Sequence, residues 1–292
     1  MISTDQNRII FYKFLKAQRV TYSRAKIIRF TKYSITILLA VIAPIIFIYS
    51  PEKINTFGVI GAIWTLIAFL IGYIERWLVK RAATIQEVFD TELYQINWNQ
   101  ISYGEKQIPH EYINGITENF TNSDLEFEFK NWYEGIENIE KPISILLCQR
   151  QNIVWDFKLR DIYAYIVIFI LIINFIIGLL LFSYTGETLV NYLIGLILPS
   201  LSANILGIEE AIGHLNISKR KKDLSNKLVT LINQVRKKKR VIENTDLREI
   251  QNVIFEERLK APLIPDFIYN FLKKKYSVNS IVSIQDILEL DS

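Results

Sequence analysis

The sequence predicts an all-α membrane protein in which four transmembrane helices form two hairpins. Four windows lack any charged residue, at 33–51, 54–74, 162–186 and 188–208, and they are 19, 21, 25 and 21 residues long. A helix needs about 20 mostly apolar residues to cross the hydrocarbon core of a bilayer. Buried helices of soluble proteins tend to be shorter and amphipathic. Four such windows in 292 residues therefore favour a membrane protein.

The distribution of Lys and Arg predicts the orientation of the chain. Eight basic residues precede the first window, whereas the first short link has only Lys53 and the second has none. Because cytoplasmic segments near membrane spans are enriched in Lys and Arg, both termini and the middle segment are predicted to be cytoplasmic. The predicted organisation is an N-terminal cytoplasmic helix (1–32), transmembrane hairpin 1 (33–74), a cytoplasmic middle region (75–161), transmembrane hairpin 2 (162–208) and a C-terminal cytoplasmic region (209–292).

Helical periodicity continues beyond two of the spans, which predicts that membrane helices extend into a mainly helical cytoplasmic region. After the second window the pattern comprises Leu78, Ala82, Ile85, Phe89 and Ile96. After the fourth it comprises Leu224, Leu228, Leu231 and Val235. Near the C-terminus, Asp246 and Glu249 are spaced as in a capping box, which predicts a helix that opens at Asp246 and stops before Pro262.

Composition and motifs argue against several functional classes. The excess of +4 charges lies beside the predicted membrane, where anionic lipid headgroups attract it, and does not indicate binding of DNA or RNA. The two histidines, His110 and His214, have no partners at the spacing of a metal site, and no glycine-rich phosphate loop is present. We therefore expect no enzyme activity, no metal and no cofactor. Cys148 is interpreted as an inert helix-packing residue, although the nearby Arg150 is of the kind that lowers a thiol pKa.

Small residues recur along one face of the second span, at Gly58, Gly61, Thr65, Ala68 and Gly72. Spacings of three and four residues place them on one side of a helix. Because small side chains let helix backbones approach closely in a membrane, the pattern predicts a helix–helix seam.

The fourth span carries Asn191, Pro199 and Ser202 on one face. Polar side chains at membrane depth face a bundle interior or a water path. Two interpretations stay open: a second packing seam with a proline kink, or the lining of a pore assembled from several copies. Asn174 in the third span is expected to make a helix–helix hydrogen bond.

Four stretches in this order are similar to one protein family. They are FLKAQRVTYSRAK, AATIQEVFDTELYQINWN, NWYEGIENIEKPISILLCQRQNIVWDFKLRD and LREIQNVIFEERLKAPLIPDFIY, and together with the span pattern they cover nearly the whole chain. The sequence thereby resembles the SMODS-associated four-transmembrane effectors of bacterial CBASS anti-phage systems.

The resemblance implies a function in the bacterial inner membrane. In such systems a cGAS-like nucleotidyltransferase senses infection and makes a cyclic di- or oligonucleotide. The effector binds that signal, assembles as a homo-oligomer and permeabilises the inner membrane, so that the infected cell dies or stops growing. The expected partners are thus membrane lipids, the cyclic nucleotide and further copies of the chain.

The polar, aromatic-rich segments beside the spans supply the candidate ligand-binding residues. Arginine binds phosphate, and aromatic rings stack on nucleobases. The first candidates are Arg19, Tyr22, Lys26, Arg150, Trp155 and Arg160, and the further ones are Trp98, Trp132, Tyr133 and Arg248. Aromatic residues are also enriched at membrane interfaces, and Asp156 with Arg160 has the spacing of an ordinary helical ion pair.

Two other functions fit the same sequence features. One is a constitutive small-ion channel or transporter, which would conduct without a nucleotide. The other is a membrane anchor for a soluble partner, which would not permeabilise the membrane at all.

Overall fold

The computed structural model describes residues 1–186, 188–193 and 197–268, and its regular structure there is entirely helical. Four helices are long: α2 (Ile9–Tyr49), α3 (Ile54–Tyr94), α7 (Ile143–Thr185) and α9 (Leu198–Arg236). The short ones are α1 (Ile2–Asp5), α4 (Gln100–Tyr103), α5 (His110–Thr117), α6 (Asn122–Phe129), α8 (Leu189–Tyr192) and α10 (Asn244–Lys260). A single 3-10 turn, Pro51–Lys53, joins α2 to α3.

The long helices run without interruption across the predicted membrane boundaries. Helix α3 contains the whole second window and continues to Tyr94, where Gln95 adopts a left-handed conformation (φ 60°) that ends it. Helix α7 starts after Pro142, whose missing N–H costs nothing at a helix start. It ends at Gly186, again with a left-handed φ of 62°. The prediction of membrane helices that extend into a polar region is thus confirmed for α3.

A hydrophobic core lies at the polar ends of the four long helices. We call the part of the chain around it the head, defined as residues 1–32, 75–161 and 209–268. Phe11 and Leu15 of α2, Phe89 of α3, Leu147 of α7 and Leu228 of α9 are all buried in this core. The apolar pattern that follows the fourth window therefore packs into the head, and its members Leu224 and Leu231 lie at the edge of the core.

The remaining halves of the long helices form two apolar hairpins, α2 with α3 and α7 with α9. By length and composition, the apolar parts of α3 and α7 are able to cross a membrane, and only 6% of either window is buried within the chain. Inside the hairpins, Trp64 Nε1 donates to Thr36 Oγ1 at 3.0 Å, and Asn174 Nδ2 donates to Asn204 Oδ1 at 2.9 Å. A side chain at Gly207 would lie 2.9 Å from Leu171, so this glycine lets α7 and α9 approach closely.

The capping box near the C-terminus lies three residues earlier than the sequence predicts. Glu243 is the N-cap and Asp246 is its partner, so α10 begins at Asn244 rather than at Asp246. Asp246 accepts from the backbone N–H of Glu243 at 3.0 Å. The helix ends at Lys260, before Pro262, as expected.

We predict that Phe89→Ala destabilises the head strongly. Phe89 is 1% exposed, lies edge-on to Phe11 with ring centroids 5.7 Å apart and stacks beside Tyr133. Removing such a buried ring costs about 3–5 kcal/mol of unfolding free energy. Thermal unfolding of the detergent-purified protein measures this, with Phe127→Ala, at a side chain that is 95% exposed, as the control. Equal melting temperatures for the two variants would contradict the assignment of Phe89 to the core.

Candidate functional site

The head encloses a half-open cavity of about 630 Å³. This volume lies within the range of about 300–1,000 Å³ that is typical of small-molecule sites. Its walls come from α2, α3, α6, α7, α9 and α10, from the loop that follows α6, and from the segment after α10. We call that last segment, residues 261–268, the C-terminal arm.

The cavity brings together most of the predicted ligand-binding residues. Arg19, Tyr22, Lys26, Trp155 and Arg160 line it, although they come from two helices that are more than 100 residues apart in sequence. Among the further candidates, the loop residues Trp132 and Tyr133 also line it.

Three other candidates do not line the cavity. Arg150, on α7, is absent from its walls, and burial lowers the pKa of its guanidinium. Trp98 donates through Nε1 to the backbone oxygen of Gly104 at 2.9 Å. Arg248 forms an ion pair with Glu87 at 2.6 Å. The structure therefore does not place these three with the other candidates.

Carboxylates pair with Arg19 and Lys26 on the cavity wall and with the neighbouring Lys16. Arg19 and Lys16 both pair with Glu128 at the end of α6, and the Arg19 guanidinium lies over the Phe129 ring. Asp266 in the C-terminal arm accepts from Lys26 and from the hydroxyl of Ser23. Each of these cations therefore has a carboxylate of the chain as its partner.

Elsewhere on the cavity wall, Asp156 is held between Arg160 and Lys221. Lys221 Nζ lies 2.7 Å from Asp156, and Arg160 contacts the same carboxylate with two nitrogens. Burial alone would raise the pKa of Asp156, but the two cations hold it well below its ordinary value. Burial raises the pKa of the neighbouring Tyr22 to about 12, so its phenol remains a neutral donor.

Arg160 also connects the cavity to the apolar hairpins. Its Nη1 donates to the carbonyl of Pro262 in the C-terminal arm at 2.8 Å and lies 3.1 Å from Nδ1 of His214. Arginine only donates, so Nδ1 accepts and the imidazole proton sits on Nε2. That Nε2 donates to Glu210 at 3.2 Å.

The connection continues through Glu210 to the other hairpin. Glu210 pairs with Arg29 of α2, which also contacts Glu75 of α3 at 2.7 Å. Lys32 pairs with Glu75 as well. We call this series the ionic chain, and its members in order are Asp156, Arg160, His214, Glu210, Arg29, Glu75 and Lys32. All four long helices contribute to it, so directly contacting groups connect the cavity to both hairpins.

A second buried charge cluster, which the sequence does not predict, holds α10 against α3. Glu87 and Asp90 are both fully buried, and Arg248 and Arg258 provide the opposite charges. Gln251 donates to both carboxylates, and Tyr133 donates to Asp90 at 2.9 Å. Of the two arginines, only Arg258 lines the cavity.

The predicted small-residue seam of α3 lies only partly against other helices of the chain. A side chain at Gly58 or Gly61 would meet no described atom within 4 Å, and Thr65 is exposed. Ala68 is half-buried, and Gly72 is buried beside Arg76 and Lys32. The end of the stripe at Gly58 and Gly61 is therefore open within the described chain. That this end contacts another molecule stays a prediction.

The polar face of the fourth span falls largely outside the described residues. Residues 194–196 are not described, and neither are the side chains of Asn191, Pro199 and Ser202. The packing-seam and pore-lining interpretations therefore both stay predictions. The hydrogen bond between Asn174 and Asn204 lies within the α7–α9 pair.

Reactive and metal-binding groups do not form a constellation in the described part of the chain. Cys148 is fully buried, and burial raises the pKa of its thiol well above the ordinary value. Within the described ranges, no group of three or more His, Cys, Asp and Glu side chains is placed to hold a metal ion.

We predict that acid weakens the fold through His214. Burial lowers the pKa of His214 below its ordinary value, and the charges of Arg160 and Arg29 oppose Glu210 around it. The unfolded chain therefore binds a proton below pH of about 6.5 that the folded chain does not, so the free energy of unfolding falls by up to about 1.4 kcal/mol per pH unit.

His214→Gln tests this prediction, because glutamine can both accept and donate but does not titrate. Unfolding should show a smaller loss of stability between pH 7.5 and 5.5 in this variant. His110→Gln, at the exposed second histidine, should keep the pH dependence of the native chain. The same pH dependence in all three proteins would contradict the assignment.

Comparison with known proteins gives two matches. The family described as SMODS-associating 4TM effector domain matches residues 1–287. A protein of Bacillus cereus (strain VD146), described as a probable CBASS effector molecule, is 29% identical over 275 residues, which is 90% of this chain and 90% of the relative. No solved structure matches this chain.

Proposed function

The chain belongs to the family of SMODS-associating 4TM effectors, and on that premise we propose that a cyclic nucleotide binds the head cavity and opens the membrane hairpins. The family supports a membrane effector of anti-phage defence. The nucleotide, made by a cGAS-like enzyme, is the proposed signal. Permeabilisation of the bacterial inner membrane by an oligomer of the chain is the proposed outcome, and it kills or arrests the infected cell.

The proposal places four spans in the membrane and both termini in the cytoplasm. Two helices with the required length and composition support the first part. The asymmetry of Lys and Arg between the head and the short external links supports the second part. In this arrangement the cavity faces the cytoplasm, where the nucleotide is made.

The observation that carries the proposal is the composition of the cavity. Arg19, Lys26 and Arg160 offer cations for phosphates, and Tyr22, Trp132 and Trp155 offer aromatic faces for bases. Both kinds of group are needed to bind a nucleotide, because phosphate is recognised by charge and a base by stacking.

Exchange of carboxylates for phosphates provides the proposed trigger. In the structure, Asp266 pairs with Lys26, and Asp156 pairs with Arg160. A bound nucleotide competes with these carboxylates and draws Arg160 away from His214 and Pro262. The ionic chain then loses its connection to the cavity, and the two hairpins are free to rearrange. A ligand shifts such an equilibrium only through its different affinity for the two states, by a few kcal/mol if resting cells are to survive.

Dye leakage from liposomes tests the function. Purified protein should release dye only when one member of a panel of cyclic di- and trinucleotides is added. Release without any nucleotide would favour the constitutive channel. Absence of release under every condition, with intact protein in the membrane, would favour the anchor.

We predict that Lys26→Gln weakens binding of the active nucleotide by about 10-fold, the effect of losing one charged hydrogen bond. Isothermal titration of the detergent-purified protein measures the affinity. Arg24→Gln is the matched control, because Arg24 lies on the same helix but is exposed and does not line the cavity. Equal affinities for both variants and the native chain would remove Lys26 from the site.

We predict that Glu210→Gln raises leakage in the absence of nucleotide. The substitution breaks the ionic chain between α9 and Arg29, and breaking a buried ion pair costs about 3–5 kcal/mol. Glu209→Gln is the control, since its side chain is exposed at the neighbouring position. If the Glu210 variant has native basal leakage and a native response to nucleotide, the ionic chain does not hold the hairpins closed.

A further inference from the structure

Arg258 is a buried cation on the cavity wall, and its two terminal nitrogens have no hydrogen-bond partner in the described part of the chain. It lies on α10, it lines the cavity, and its side chain is only 8% exposed. Its Nη1 lies 2.7 Å from Asp90 Oδ2, but the N–H does not point at that oxygen. Within the described part of the chain, neither Nη1 nor Nη2 has a hydrogen-bond partner.

This arrangement is costly unless a further group completes it. Buried polar groups are nearly always hydrogen-bonded, and a buried charge without hydrogen bonds is especially unfavourable. Arginine presents its donors as a planar fork that matches the oxygens of a phosphate. The donors of Arg258 that lack a partner therefore suit an anionic oxygen. Because both nitrogens are themselves buried, an oxygen from the cavity reaches them only with a small shift of the surrounding wall.

Arg258 is one of three buried cations on the cavity wall. The other two are Arg160 and Lys221, and all three are at least nine-tenths buried. Asp156, Asp90 and Glu87 balance these charges. An excess of positive charge therefore does not define the site, and the inference depends on the hydrogen-bond donors of Arg258 that lack a partner.

We propose that Arg258 is a further phosphate-binding residue on the wall of the cavity. A phosphodiester oxygen accepts from the Nη groups that have no partner in the described chain, while Asp90 remains the counter-ion on the other side of the guanidinium. This inference rests on the proposed function in one respect, namely that the phosphate belongs to a cyclic nucleotide. The anion site itself is defined by the residues and does not depend on the rest of the ligand.

The matched pair Arg258→Gln and Arg248→Gln separates binding from structure. Both arginines lie on α10 and both pair with Glu87, but Arg248 does not line the cavity. A purely structural role predicts similar effects of the two substitutions. A role in binding predicts that only Arg258→Gln removes the anion site.

Inorganic pyrophosphate is the first probe, because it presents phosphate oxygens without bases or ribose. The melting temperature of the native protein in detergent should rise with pyrophosphate and not with chloride at the same ionic strength. Arg248→Gln should respond as the native chain does. Arg258→Gln should need a pyrophosphate concentration on the order of 10- to 100-fold higher for the same shift, as expected for a lost charged hydrogen bond. Size-exclusion chromatography confirms that each variant is folded.

Two results would overturn the inference: a native protein that pyrophosphate does not stabilise, or a folded Arg258→Gln variant that is stabilised as the native protein is. The panel of cyclic nucleotides then provides an independent measurement of stabilisation and affinity. Stabilisation by pyrophosphate but by no cyclic nucleotide would uphold the anion site and refute the proposed ligand. Equal nucleotide affinities in the native chain and the Arg258→Gln variant would uphold the ligand and refute the role of Arg258.

Discussion

The ion pair between Arg29 and Glu210 is the contact on which the arrangement of the hairpins depends. It joins the first hairpin to the second where the polar head meets the apolar helices. Glu75 pairs with the same arginine from the other helix of the first hairpin. On the other side, His214 passes the connection to Arg160 at the cavity. Charges at this depth must be paired, because an unpaired charge near hydrocarbon is costly, so the pairing fixes how the long helices lie relative to one another.

Ion pairs of this kind suit a protein that must change state. The desolvation of buried charges largely cancels their mutual attraction, so a buried pair adds little net stability, yet loss of one partner is strongly unfavourable. The ion pairs therefore specify one arrangement of the helices but add little to its free energy of unfolding. In the proposed function, an anion that enters the cavity competes with the carboxylates of this series, and the balance of contacts then shifts along it. The apolar core of the head, around Phe89 and Leu147, does not have to change.

The sequence predicts the helices better than it predicts the walls of the cavity. Charge-free windows and unbroken helical periodicity are local signals, and they anticipate the full length of α3. Arg19, Tyr22 and Lys26 share a helix face by spacing alone, and that face lines the cavity. Arg150 does not line the cavity because one residue turns a helix by about 100°, and the neighbouring Gln151 lies on the wall instead.

The sequence does not predict the burial of Arg258 on the cavity wall, because the residues that pair with it are far away in sequence. Asp90 and Glu87 are more than 160 residues away in sequence. One signal was present: Leu247, Gln251, Ile254 and Arg258 follow the buried stripe of α10, so a charge stands where an apolar residue is expected. The ionic chain is not predictable from the sequence for the same reason. Each of its members looks like an ordinary polar or charged residue near a membrane span. Only the packing of four helices brings them into contact.

The distance between the tips of the two hairpins tests the central claim most directly. Spin labels at Lys53→Cys and Thr188→Cys report this distance in liposomes, and Cys148 is fully buried and stays unlabelled. The account predicts that the active cyclic nucleotide shifts the distance distribution, and that Arg160→Gln abolishes the shift. An unchanged distribution in the native chain, at a nucleotide concentration that saturates binding in the same sample, would contradict the claim that the cavity controls the hairpins.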